Sequence, residues 1–75
     1  MVQWVLYATD GCHLCEEAQH LIHRTLGITV TEVDIAGNEQ LMERYGTRIP
    51  VLRRVDKDVE IGWPFDSQAI RRLLE

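Results

Sequence analysis

Residues 2–19 read VQWVLYATDGCHLCEEAQ, and the change of pattern inside this stretch decides the fold. From Val2 to Ala8 apolar side chains occupy both alternating faces, with Trp4, Leu6 and Ala8 on one and Val5 and Tyr7 on the other. A strand that is apolar on both faces is a central strand covered from both sides. Thr9-Asp10-Gly11 breaks the alternation, and Leu14, Ala18, Leu21, Ile22 and Thr25 then recur at helical spacing as far as Gly27, where a helix would end. Glu16 and Glu17, in the first turn, suit the positive end of the helix dipole. Cys12 and Cys15 therefore stand at a strand-to-helix junction.

Downstream, Ile28 to Ile35 is rich in β-branched residues and reads as a second strand. Gly37-Asn38 turns the chain, with Asn38 as helix cap, into a short helix carrying Leu41, Met42 and Tyr45 and closed by Gly46. Ile49-Pro50-Val51-Leu52 begins a third strand, and Asp56-Lys57-Asp58 turns it back into a fourth at Val59 to Ile61. Asp66 then caps a last helix with Ile70, Leu73 and Leu74 inward. The predicted order β-α-β-α-β-β-α is an α/β fold with a four-stranded mixed sheet flanked by three helices. Its first two strands are parallel, because a helical crossover joins them.

Size and charge narrow the function. Seventy-five residues suffice for one domain, residues 1–75, with one small core. The net charge of −4, with Arg53-Arg54 and Arg71-Arg72 as isolated basic pairs, argues against nucleic acid as a partner. No apolar run approaches the roughly 20 residues that span a bilayer, so no membrane partner is expected. The first eight residues lack the features of a secretory signal, so a cytoplasmic location is the expectation. Two cysteines are too few for a disulfide-stapled scaffold.

At a helix start, unpaired backbone N–H groups favour a thiolate at the first cysteine, lowering its pKa from about 8.5. The two-residue spacing also puts both sulfurs within disulfide reach. Those are the requirements of thiol–disulfide exchange: Cys12 as attacking sulfur, Cys15 as resolving sulfur. Three alternatives stay open. A structural disulfide would close only a small ring, worth about 2 kcal/mol. A zinc ion within one chain would need two more ligands, and His20 and His23 follow on the same helix, but His20 lies about 12 Å along it from Cys12. Two unconnected core cysteines are the third.

Cys12-His13-Leu14-Cys15, Tyr45-Gly46-Thr47-Arg48-Ile49-Pro50 and Gly62 together resemble the glutaredoxin-like, dithiol members of the thioredoxin-fold superfamily, over nearly the whole chain. The resemblance implies a cis peptide bond before Pro50, with that proline against the cysteine pair and the backbone of Ile49 left to pair with an extended substrate. It implies substrate contacts at Ile49, Pro50, Gly62 and Asp66, with Asp66 matching an acidic residue that contacts the γ-glutamyl end of glutathione. His13 between the cysteines, Arg48 beside Pro50 and Trp63 after Gly62 are further candidate contacts by their place in the sequence. It implies a thiol–disulfide oxidoreductase with no metal and no tightly bound cofactor, glutathione serving at most as co-substrate. The partners would be a protein disulfide or low-molecular-weight thiol, and a thiol reductant system.

The sequence departs from that pattern. Thr9 stands where such proteins usually carry a lysine, and Gly62-Trp63 replaces their glycine pair. Asp10, Glu16 and Glu17 surround the cysteines with negative charge, which opposes a thiolate and repels anionic glutathione. Of the nearby groups only His13, when protonated, offsets it. Protein disulfides are thus at least as well suited as glutathione. A redox-sensing or protein-binding module with little turnover, using a surface that includes Trp63, is the alternative function.

Overall fold

A computed structural model describes residues 2–75. Its first strand, β1 (Trp4–Ala8), is joined through helix α1 (His13–Leu26) to strand β2 (Thr31–Asp34). Helix α2 (Glu39–Tyr45), the hairpin of β3 (Val51–Arg54) and β4 (Val59–Gly62), and helix α3 (Ser67–Arg72) follow. The sheet order is β2-β1-β3-β4, with β1 parallel to β2 and antiparallel to β3, and β3 antiparallel to β4. This is the mixed four-stranded sheet with three helices that the hydrophobic patterning predicts.

Because β1 is an interior strand, its two faces serve two cores. Leu6, with Trp4 beside it, packs with Ala18, Ile22, Val30, Leu52, Ile70 and Leu73 under α1 and α3. Tyr7 points the other way, toward Ile35, Tyr45 and Val51 under α2. Each helix is bounded by a local device. The Asn38 side chain accepts from the Leu41 N–H at 3.1 Å and Asp66 from the Ala69 N–H at 2.8 Å, satisfying donors that a helix start leaves free. α1 ends on Gly27, whose φ of 72° lets its N–H reach the His23 carbonyl at 2.8 Å.

Several boundaries and faces differ from those read in the sequence. β2 begins at Thr31, not Ile28; Ile28 and Thr29 are exposed, and the pairing with β1 starts only at Val5↔Thr31. β3 begins at Val51 rather than Ile49 and runs on to Arg54. The buried stripe of α1 is Cys15, Ala18 and Ile22, spaced i, i+3, i+7, so Cys15 takes the inward place in the first turn and Leu14 is turned out, 45% exposed. Met42 is likewise exposed, and so is Leu74, which lies beyond the last turn of α3.

The far end of the hairpin is tied down by Arg54. Its buried guanidinium donates to the Leu73 carbonyl at 2.6 Å and to both carboxylate oxygens of Asp56 at 3.2 Å, so the charge is paired rather than stranded. Asp56 also accepts from the Gln3 N–H at 3.1 Å, joining the start of the chain to the same knot.

Candidate active site

The strand register decides which loops meet. Tyr7 is opposite Val51, and Val51 is opposite Gly62. The exit of β1, the entry to β3 and the exit of β4 therefore lie at one end of the sheet. Three segments emerge there side by side: the loop to Cys12, the Ile49–Pro50 segment and Gly62-Trp63. The Trp63 N–H extends the hairpin pairing by donating to the Pro50 carbonyl at 3.0 Å. The peptide bonds before Pro50 and Pro64 are both cis.

Cys12 caps α1 in an extended conformation (φ −84°, ψ 104°), and its sulfur accepts from the Cys15 N–H at 3.2 Å. The two cysteines are joined as a disulfide, with Cα atoms 5.2 Å apart. Cys12 is half-buried, whereas Cys15, one turn deeper, is only 3% exposed. The pair thus combines an accessible sulfur at a helix N-terminus with a partner sealed in the core. His13 stands free in solvent, with Nδ1 3.9 Å from the carboxylate of Glu16; Asp10 and Glu17 are exposed beside it. His20 and His23 lie exposed farther along α1, and among the described residues no group of three His, Cys, Asp or Glu side chains is placed to hold a metal ion.

Pro50 is buried and Ile49 partly so. The Ile49 backbone differs from the expectation of a free pairing edge. Its N–H donates to the Tyr45 carbonyl at 3.1 Å, and the Arg48 N–H donates to the same oxygen at 2.8 Å. Only the Ile49 carbonyl is left without a partner among the described residues. Arg48 itself is turned onto the α2 side of the sheet, with Nη2 3.4 Å from Glu60 and its guanidinium 5.6 Å from the Tyr45 ring centroid. Gly62 faces it: a Cβ there would sit 4.0 Å from the Arg48 Nη2.

On the other side, Trp63 packs on the α1–α3 core and meets Phe65 edge-on at 5.1 Å, walling a groove of about 300 Å³ with Glu17, His20, Leu21 and Arg24. Asp66 uses one oxygen to cap α3 and lines a separate open groove of about 610 Å³ with Gly62, Pro64, Phe65 and Arg72. Of the residues singled out in the sequence, the fold gathers Cys12, His13, Cys15, Ile49, Pro50, Gly62 and Trp63 at one end. Arg48 is drawn toward Glu60, and Asp66 is held at the start of α3.

Residues 3–75 match the family model described as Glutaredoxin-like domain (DUF836). The chain belongs to that family. A solved structure of target protein XcR50 from X. campestris is similar to it, with 35% identity, a TM-score of 0.84, and 95% of this chain and 93% of that one covered. The solution structure of the same protein gives 35% identity and a TM-score of 0.84 over 96% and 91% of the two chains. Protein Ne2328 from Nitrosomonas europaea is 33% identical, with a TM-score of 0.77 over 96% and 89%. No curated protein matches the chain.

This glutaredoxin-like domain also holds a polar cluster that the sequence reading missed. The Tyr45 hydroxyl and Arg53 Nη1 each donate to Glu60 Oε1 at 2.8 Å, with Arg48 at 3.4 Å and Arg44 at 4.0 Å from the same carboxylate. Arg53 also pairs with Asp58, and Tyr7 stacks on Tyr45 with ring centroids 4.3 Å apart. Burial, reinforced by the hydrogen bond to Glu60, pushes the Tyr45 phenol up to about 12. For Glu60 burial pushes upward, but the hydrogen bonds from Tyr45 and Arg53 and the nearby guanidinium charges outweigh it and hold the carboxyl below its ordinary range. The turn read at Asp56-Lys57-Asp58 would set Arg54 opposite Glu60; the structure's connection also takes in Val55, and that one-residue difference sets Arg53 there instead.

Proposed function

We propose that this glutaredoxin-like domain is a thiol–disulfide oxidoreductase working through Cys12 and Cys15. The observation that carries this reading is the asymmetry of the bonded pair: Cys12 accessible at the cap of α1, Cys15 buried one turn deeper. In the reduced protein the Cys12 thiolate attacks one sulfur of a substrate disulfide, and the other sulfur leaves as a thiol with a proton from solvent. Cys15 then loses its proton and attacks the Cys12 sulfur, freeing the second substrate thiol. Two electrons have passed to the substrate, and a Cys12–Cys15 disulfide remains for an external thiol to reduce. No tightly bound cofactor takes part.

The substrate class favoured is a protein disulfide. Thr9 in place of lysine and the exposed carboxylates of Asp10, Glu16 and Glu17 weaken attraction for glutathione, which remains a candidate reductant beside a thioredoxin-type system. Substrate would lie across Pro50 and the Ile49 carbonyl, flanked by His13, Gly62 and Trp63, with Arg48 and Asp66 at the margins. Re-reduction of the pair suits a cytoplasmic setting; no helix among the described residues is long and apolar enough to cross a membrane.

The test is a Cys15→Ser protein offered a protein disulfide. It should accumulate a mixed disulfide through Cys12, and a Cys12 that stays a free thiol would overturn the proposal. The acidic surroundings of the pair favour a second reading, a redox-sensing or binding module. In that case the mixed disulfide would be absent, while oxidation of the wild-type pair would change affinity for a partner.

A further inference from the structure

Resting on the exchange reading above, we infer that the cleft at Cys12 is charge-polarised and selects protein disulfides by the order of charges around the reacting cysteine. An acidic side chain is favoured on the bank formed by α2 and the Arg48 loop, and a basic one on the bank formed by the start of α1. The two banks lie on opposite faces of the sheet, since α1 packs on the face carrying Leu6 and α2 on the face carrying Tyr7. Cys12 and Pro50 lie between them, at the end of the sheet where β1 leaves and β3 enters.

The α1 bank is negative. Asp10, Glu16 and Glu17 are all exposed; His13 lies 3.9 Å from Glu16, and Arg24, farther along α1, is a cation sharing a groove with Glu17. The opposite bank is positive although the chain as a whole carries −4. Arg44, Arg48 and Arg53 face two carboxylates there, Glu60 and Asp58. Arg53 is largely covered and bonded to both, whereas Arg44 and Arg48 keep 63% and 49% of their side-chain surface exposed. Both lie over the Tyr45 ring, at 5.3 Å and 5.6 Å, which fixes their stems and leaves most of their five N–H donors free. Glu39 and Glu43 are also exposed on α2, about 140° and 100° around the helix from Arg44, so the positive charge is confined to the edge where Arg44 and Arg48 meet the Tyr45 ring.

The backbone sharpens this arrangement. With the Ile49 N–H taken by Tyr45, an extended substrate finds only an acceptor at the Ile49 carbonyl. One backbone hydrogen bond positions a strand less firmly than two, so side-chain charge contributes a larger share of the orientation. A five-residue extended segment spans at most about 17 Å, so charges on either side of its cysteine are carried away from Cys12 in opposite directions.

The experiment uses two peptides of identical composition, each with one cysteine carried as a mixed disulfide with thionitrobenzoate. One has glutamates before and lysines after the cysteine, and the other has the reverse order. Attack by Cys12 on the peptide sulfur releases coloured thionitrobenzoate, and each rate is normalised to that of a small free thiol. The wild-type protein should favour one order by about three-fold at low ionic strength, as expected for two exposed charge contacts. The ratio should fall toward one at high salt. It should vanish in Arg44→Glu/Arg48→Glu, and also in Glu16→Lys/Glu17→Lys, which alters only exposed side chains. Arg71→Glu, on α3, should keep it. Equal normalised rates for the two orders in wild type would overturn this inference and leave exchange itself standing. No thionitrobenzoate release from either peptide would overturn the exchange reading instead.

Discussion

The Tyr45 hydroxyl donates to the Glu60 carboxylate at 2.8 Å, and this bond ties α2 to the edge strand β4. The same carboxylate accepts from Arg53, so one half-buried anion joins a helix and both strands of the hairpin. The entry to β3, with Pro50 and Arg48, hangs from this junction.

Glu60→Gln is therefore expected to lower stability at neutral pH by about 1–3 kcal/mol, because it leaves the guanidiniums without their shared anion. The sign of the pH effect follows from the Glu60 carboxyl, which is held below its ordinary value in the folded state. Its contribution is full above the ordinary carboxylate range and is lost as pH falls through the folded-state value. Urea midpoints measured from pH 6 downward should fall more steeply in wild type than in Glu60→Gln. Parallel curves would remove Glu60 from the account.

Leu6→Ala should destabilise by about 2–5 kcal/mol, since Leu6 is fully buried between β1 and the α1–α3 layer. Leu14→Ala should change stability by less than about 0.5 kcal/mol, because Leu14 is turned to solvent. Denaturant titration of the two variants checks both, and a large loss for Leu14→Ala would put Leu14, not Cys15, on the inner face of α1.

Asp66 has a structural duty that can be separated from any contact with substrate. Asp66→Ala removes the cap on α3 and should cost about 1 kcal/mol. Asp66→Asn keeps an acceptor for the Ala69 N–H and should stay near wild type in thermal melting. If Asp66 also touches substrate through its charge, Asp66→Asn will raise KM at unchanged stability; an unchanged KM confines the residue to its cap.

The order of elements was legible because patterning changes wherever the element type changes. A both-face apolar run gives the central β1, a 3.6-residue recurrence gives α1, and Asn38 and Asp66 mark helix starts that the structure places at the same residues. Errors arose where periodicity alone leaves the phase open. Leu14 and Cys15 are adjacent and both apolar, and only the tertiary packing of α1 shows that Cys15 continues the stripe of Ala18 and Ile22. At β2 the β-branched run Ile28 to Thr31 overstates the strand: the register sets Ile28 and Thr29 opposite Val2 and Gln3, before β1 begins, and Val30 gives both its backbone groups to the Gln19 side chain. The location of the cysteines and Pro50 at one end followed from connectivity. The capture of the Ile49 N–H by Tyr45 did not, since a four-residue turn into Ile49-Pro50 has no marker in side-chain polarity.

The central claim is that Cys12 and Cys15 together pass two electrons to a disulfide. Fully reduced protein is mixed with one equivalent of a protein disulfide, quenched in acid, alkylated and analysed by mass spectrometry. The account predicts one Cys12–Cys15 disulfide formed for each substrate disulfide lost. Alkylated Cys12 and Cys15 beside intact substrate would contradict it.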